Sequence, residues 1–396
     1  MNQNLLHTPE GVRDIYGAEY EKKQQTSAEM MRVIRSYGFR ELCTPTFEFF
    51  DVFSKEIGTI PSKDLYKFFD KEGNTLVLRP DFTPSMARCA AKYYMEEDVP
   101  IRFCYMGNTF INTSNLQGKL KETTQLGAEL IGDDSVEADA EMCALLIESL
   151  LSAGLTEFQV SIGQVDYFRG ICEAAGIDPE VELAIREAIS EKNVFGAEDL
   201  IASHVVNESA AKALLQIPEL FGGVDMLSEA QAVVSNERSL AAIRRLQDLY
   251  ELLKLYGVDR YVSFDLGLLS KYNYYTGIVV KAYTYGVGDA LVSGGRYDHL
   301  LEKFGKCAPA IGFAIQVDDL MTALESQKIP FETKPAGCMI AFQTARYKEA
   351  LAKAKALRAK GVSVELFNNT GIMMTREALA EVARHAGREL LDFTTE

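Results

Sequence analysis

Three short stretches of this chain set polar and titratable side chains close together in sequence. Asp81 and Thr83 stand in LRPDFTPSMARC, Gln125 and Glu129 in TTQLGAELIG, and Tyr274-Tyr275 in YNYYTGIVV. They supply two carboxylates, a hydroxyl, an amide and two phenols, a set of hydrogen-bond donors and acceptors. Taken singly, each has an ordinary explanation. Asp81 or Glu129 reads equally as a carboxylate satisfied within a sheet, and Tyr274 and Tyr275 as strand residues. Gly294-Gly295-Arg296 reads equally as a bulge with a surface arginine, and Arg79 as the ion-pair partner of a nearby carboxylate. A different signal lies between Cys104 and Gly132, where CYMGNTFINTSNLQGKLKETTQLGAELIG reads as strand, long polar loop and returning strand. Ile111, where the first strand gives way to the loop, is a branched hydrocarbon that cannot neutralise a phosphate.

Several function classes are excluded by residue usage. Only four histidines exist, His7, His204, His299 and His385, with no HxH or HExxH spacing, which argues against structural zinc or a metallohydrolase centre. Seven scattered cysteines never form CxxC and fit reduced thiols in a cytoplasmic protein. The net charge of −16 repels phosphate backbones, so binding nucleic acid would need a strong local basic patch. The densest basic run, Arg346 to Lys360, alternates with alanine and leucine at helical spacing and reads as a solvated helix face. The first residues lack the layout of a signal peptide, and no uncharged apolar run reaches membrane-spanning length. The expectation is a soluble, cytoplasmic protein without nucleic-acid or membrane partners.

Three textures organise the elements that must position these residues. Residues 1 to about 168 and about 260 to 325 mix helices with β-rich runs such as IRFCYM, FQVSIGQV and YYTGIVVKAY, which suggests an antiparallel sheet carrying helices. Residues 170–257 read as almost all helix. Asp178-Pro179 opens one segment as N-cap and first turn. Asn236 opens another, whose Leu240, Ile243, Leu246, Tyr250, Leu253 and Tyr256 share a face and which Gly257 stops. That block has the character of an insertion. Beyond Pro330 and Pro335, residues 334–396 run β-α-β-α as a small parallel unit.

Taken together, PEGVRDIYG, YGFRELCTPTFEFFDVF, LRPDFTPSMARC, the 104–132 segment, YNYYTGIVV and SGGRYDHLLEKFG ahead of AIGFAIQVDDL resemble histidyl-tRNA synthetase, in order and spacing, over residues 8–325. The resemblance implies an α+β fold: a class II synthetase-like antiparallel sheet with flanking helices over 1–325, a helical insertion at 170–257, and a shortened anticodon-binding-like α/β unit at 334–396. It also implies a dimer contact through YGFRELCTPTFEFFDVF.

Residue by residue, the resemblance divides the site. Activating an amino acid needs fixed cations around a triphosphate. Ile111 stands at the expected motif 2 arginine, Thr113 at an acidic position of its loop, Ser270 at an arginine of the histidyl-specific loop, and Asp318-Asp319 at a Glu-Arg pair. Lys121 and Lys271 are nearby cations, but a flexible lysine does not reproduce a bidentate arginine. The amino-acid half is kept. Asp81 and Thr83 match positions holding the α-amino group, Gln125 lies between amino and carboxylate, and Glu129 and Tyr275, with Tyr274 beside it, face an imidazole.

A synthetase frame with this division resembles the regulatory subunits of the short-form ATP phosphoribosyltransferase. That resemblance implies no catalytic residues and no cofactor, a short catalytic subunit as partner in a hetero-octamer, self-association as a dimer, and L-histidine as feedback effector. It places the moving part in the loop Asn112–Thr123. An atypical histidyl-tRNA synthetase and a free-standing histidine-sensing module are the alternatives.

Overall fold

Alternation along one strand explains how a polar site lies against an apolar core. In the strand Glu122–Ile131, Leu126, Ala128 and Leu130 point into the main hydrophobic cluster, while Gln125 and Glu129 point to the opposite face. The computed structural model describes residues 6–54, 60–97, 99–113, 119–269, 274–331 and 337–394. Their contacts divide the chain into two units, residues 1–13 with 26–329, and 14–25 with 330–396.

In the larger unit, strands β1 (Arg40–Glu41), β5 (Ile101–Phe110), β6 (Glu122–Ile131), β7 (Phe158–Gln164), β8 (Phe221–Gly222), β9 (Val262–Asp265), β10 (Ile278–Thr284), β11 (Val292–Arg296) and β12 (Ala310–Gln316) form one sheet. Strands β2 (Phe47–Phe49), β3 (Lys67–Phe69) and β4 (Thr75–Leu78) form a separate small sheet in the order β2-β4-β3. The large sheet runs β1-β5-β6-β12-β11-β10-β7-β9-β8. Its central pairs are antiparallel, as expected, but β1 pairs with β5 and β7 with β9 in parallel. The sheet is therefore mixed. Helical crossovers allow both parallel pairs, since a parallel neighbour needs a long connection rather than a hairpin.

The flanking helices are α1 (Gly17–Ser36), whose first residues group with the other unit, α2 (Thr83–Tyr93), α3 (Val136–Ser152) and α10 (Val317–Ser326). Between β7 and β9 come α4 (Val165–Ala175), α5 (Pro179–Ser190), α6 (Val194–His204), α7 (Glu208–Gln216), α8 (Asp225–Val233) and α9 (Glu237–Tyr256). The first helix of this block begins before residue 170, and β8 interrupts it to pair with β9 at the sheet edge. Ile185, Leu214 and Leu246 share one cluster with Leu126 and Val160 of the sheet. The caps form as the sequence suggests: Asp178 accepts from the Glu180 amide at 2.9 Å and Asn236 from the Ser239 amide at 2.8 Å. In α9, Leu249 is buried and Tyr256 exposed, so the apolar stripe drifts from the predicted face over the last turns.

The smaller unit contains β13 (Cys338–Phe342), α11 (Tyr347–Arg358), β14 (Val364–Asn368), α12 (Arg376–His385) and β15 (Glu389–Phe393). It extends the expected β-α-β-α pattern by a third strand. All pairing is parallel, with β13 central in the order β14-β13-β15. Ile340 packs with Ala350 and Ala354 of α11, and Met339 and Ala341 with Leu379 and Ala383 of α12. A strand covered on both faces needs the continuous apolar run CMIAF.

Candidate functional site

The turn after β4, the start of α2, the strands β6, β11 and β12, and the approach to β10 enclose a cavity of about 220 Å³. Pro84 at the second position of α2 suits a helix start, which fixes Thr83 at the helix N-terminus. Asp81 accepts from the Thr83 amide at 3.4 Å. Gln125 and Glu129 share a face of β6, opposite Gln316 and Gly312 of β12. Tyr274 and Tyr275 precede β10 with ring centroids 4.4 Å apart. Asp81, Thr83, Gln125, Tyr274 and Tyr275 line the cavity. Glu129, only 1% exposed, sits behind two lining residues, Thr83 and Tyr297. All six expected residues are thus brought together.

Glu129 is bound by hydroxyl donors. Thr83 Oγ1 donates at 2.9 Å to one carboxylate oxygen and Tyr297 at 2.5 Å to the other, while Tyr105 approaches at 3.5 Å. Burial nevertheless pushes its pKa up from 4.5 to about 8, and the negative charge of Asp81 adds to the rise. Tyr105, Tyr274 and Tyr297 are held well above their ordinary pKa, chiefly by burial, so all three remain neutral. Among the described residues, Gln125 Oε1 is buried without a hydrogen-bond partner. Tyr105 and Tyr297 were not singled out from sequence. Tyr105 has a glycine opposite it, and a Cβ on Gly127 would lie 2.5 Å from its hydroxyl, whereas Tyr297 is marked only by directly following Gly294-Gly295-Arg296.

The sequence profile of the histidyl-tRNA synthetase family matches residues 11–320. A curated relative, an ATP phosphoribosyltransferase regulatory subunit of Acetivibrio thermocellus, is 40% identical over 366 residues, 92% of this chain and 88% of its own. A solved structure described as an ATP phosphoribosyltransferase regulatory subunit/histidyl-tRNA synthetase, from Bacillus halodurans, is similar at TM-score 0.88 and 32% identity over 99% of both chains. The chain belongs to the ATP phosphoribosyltransferase regulatory subunits. A histidyl-tRNA synthetase from Nostoc, 20% identical with TM-score 0.81 over 96% of this chain and 90% of its own, shares the fold.

In this member of the regulatory-subunit family, Ile111 and Gln316 also line the cavity, and no lysine or arginine occurs among the described lining residues. Asp318 accepts from the Thr124 amide at 2.6 Å and so anchors the returning strand β6. Asp319, also in the first turn of α10, has its pKa raised by burial and by the neighbouring charges of Asp289 and Asp318. Lys119 pairs with Asp289 at 2.6 Å. Ser270 and Lys271 lie outside the described residues, as does the middle of the 112–123 loop.

The two other arginines considered are structural. Among the described residues Arg79 forms no ion pair: it donates to the main-chain carbonyls of Asn108, Thr44 and Pro45 at 2.8, 2.9 and 3.2 Å. Arg296 is no surface residue either. It is 3% exposed and bonded to buried Asp139 at 2.6 Å. Among the described residues, no group of three His, Cys, Asp or Glu side chains is placed to hold a metal ion, and no helix is long and apolar enough to cross a membrane.

Proposed function

We propose that this chain is the non-catalytic regulatory subunit of a short-form ATP phosphoribosyltransferase and that its cavity receives free L-histidine as the feedback effector. The carrying observation is the cavity's lining. It gathers Asp81, Thr83, the phenols Tyr274 and Tyr275, and Gln125, whose Oε1 has no hydrogen-bond partner among the described residues, while Ile111 shares the lining and no cation does among the described residues. The ammonium falls to Asp81 and Thr83, the imidazole to Glu129, Tyr274 and Tyr275, and the amide of Gln125 spans amino and carboxylate groups. A volume of about 220 Å³ is below the roughly 300–1,000 Å³ of drug-sized ligand sites, which suits an amino acid better than an adenylate.

The partner on this reading is a catalytic subunit holding ATP and phosphoribosyl pyrophosphate, assembled with this chain as a cytoplasmic hetero-octamer at the first step of histidine biosynthesis. The helical block 170–257 and the unit 334–396 correspond to the insertion and anticodon-binding domains of the synthetase frame. Phe47, Phe49 and Phe68, exposed on one face of the small sheet, supply an apolar surface that supports self-association as a dimer. Feedback requires histidine to prefer one state of the complex, and a coupling of about 1–3 kcal/mol gives roughly 5–150-fold regulation.

Calorimetry of the purified chain with histidine and with ATP tests the reading. Saturable histidine binding without ATP binding supports it. Saturable ATP binding with ATP–pyrophosphate exchange would overturn it in favour of an atypical synthetase.

A further inference from the structure

A second cavity, of about 260 Å³, lies where α5 and α6 meet β8, β9 and the turn after β9. Ala188, Ile189, Val194, Ala197, Pro218 and Phe221 give it an apolar wall. Two opposite charges complete the lining, Asp265 at the end of β9 and Lys192 in the turn joining α5 to α6. The Gly267 amide donates to Asp265 Oδ1 at 2.9 Å and fixes the carboxylate, and a Cβ on Gly267 would stand 3.1 Å from that oxygen. Lys192 occupies the left-handed region with φ 56°, a conformation uncommon for a residue with a side chain.

The two charges are near enough for Lys192 to stabilise the Asp265 carboxylate against its burial. Lys281 of β10, outside the cavity lining, is a second cation acting on the carboxylate, and no ion pair between Lys192 and Asp265 occurs among the described residues. Two unlike charges left apart on an otherwise apolar wall complement a small molecule with the reverse arrangement. The geometry points to a second ligand site, separate from the one around Glu129, for an apolar α-amino acid. The ammonium goes to Asp265, the carboxylate to Lys192, and the hydrocarbon or aromatic side chain to the wall of Ala188, Val194 and Ala197. Histidine is a poor fit, because its imidazole would have to leave water for a wall without a partner. The site rests on no assumption about histidine binding in the first cavity.

The test is calorimetric titration of the full chain with leucine and phenylalanine. Leucinol, which lacks the carboxylate, and isocaproate, which lacks the amine, are the comparison ligands. The expected result is saturable binding of at least one of the two amino acids, weakened about tenfold or more when either charge is removed from the ligand. Asp265→Asn should weaken it comparably. Ala197→Phe, which fills the cavity, should abolish it while the affinity for histidine stays unchanged. Should Ala197→Phe fail to fold, Asp265→Asn and the ligand series decide alone. No binding of either amino acid overturns the inference. So does binding that is indifferent to the ligand's charges, or that survives both substitutions.

Discussion

Glu129 and Gly312 face each other across the β6–β12 ladder, and a Cβ on Gly312 would stand 1.5 Å from Glu129 Oε2. The carboxylate occupies the space that a side chain at 312 would take. Gly312→Ala must therefore move the carboxylate away from Thr83 and Tyr297 or push β12 outward. Histidine affinity should fall by at least about tenfold. Stability should drop by about 1–3 kcal/mol, the usual cost of overpacking. Calorimetry and urea denaturation read the two effects separately, and unchanged histidine affinity would remove Glu129 from the ligand's surroundings.

Glu129 also makes stability depend on pH. Its carboxyl has a folded pKa of about 8 against an ordinary 4.5, so between those values the folded state holds more protons than the unfolded one. Linkage then gives a stabilising contribution that is complete below about pH 4.5 and lost as pH rises through about 8. The melting temperature of the free chain should fall between pH 6 and pH 8 more steeply than that of Glu129→Gln, which cannot ionise there. Parallel pH profiles for the two proteins would show that the carboxyl is not shifted upward.

The site residues were legible only through the resemblance to histidyl-tRNA synthetase, since residue type alone reads equally as structure. The local pattern agrees with it: Gln125 and Glu129, four apart on a strand, share a face, and Asp81 and Thr83 stand together at the turn opening a proline-started helix. Tyr105 and Tyr297 were not legible, because a phenol on a strand or just past its end carries the same local signal whether it fills a core or binds a carboxylate. Only the partner across the sheet distinguishes the two. The same non-locality hid the parallel pairings of β1 and β9, which depend on what each crossover packs against. Strand β15 escaped because ELLDF carries a charge near each end, Glu389 and Asp392, and its partner β13 lies far back in the chain, Cys338 opposite Glu389. Arg79 and Arg296 were ambiguous for a related reason: an arginine's partners are main-chain carbonyls or carboxylates that sequence does not place.

Arg79 offers a check on that structural assignment. Its guanidinium bonds three carbonyls from two segments and lies 4.1 Å over the Phe82 ring, and a Cβ on Gly107 would be 2.7 Å from Nη2. Lysine cannot span these acceptors in one plane. Arg79→Lys should cost about 2–4 kcal/mol in urea denaturation, since buried carbonyls lose their donors. A fully stable variant would show that the three bonds are dispensable.

The two phenols on Glu129 should separate in their effect on feedback inhibition. Tyr297 donates at 2.5 Å and Tyr105 only at 3.5 Å, beyond the range of a strong O–H···O bond. With its carboxyl pushed up to about 8, Glu129 is protonated near neutral pH, and a hydrogen bond between neutral groups contributes about 0.5–1.5 kcal/mol, so Tyr297→Phe should weaken histidine binding roughly 3–10-fold. Tyr105→Phe should weaken it by less than about threefold, because a bond of that length contributes little. Neither phenol touches the substrates of the catalytic partner on this reading, so the assembled enzyme should keep its uninhibited rate in both variants. The histidine concentration giving half inhibition should rise in the same order as the dissociation constants measured on the free chain. Equal inhibition midpoints for wild type and Tyr297→Phe, with the complex intact, would mean that the effector is sensed elsewhere. A Tyr297→Phe shift in binding without one in inhibition would place histidine in the cavity but deny that its occupancy reaches the partner.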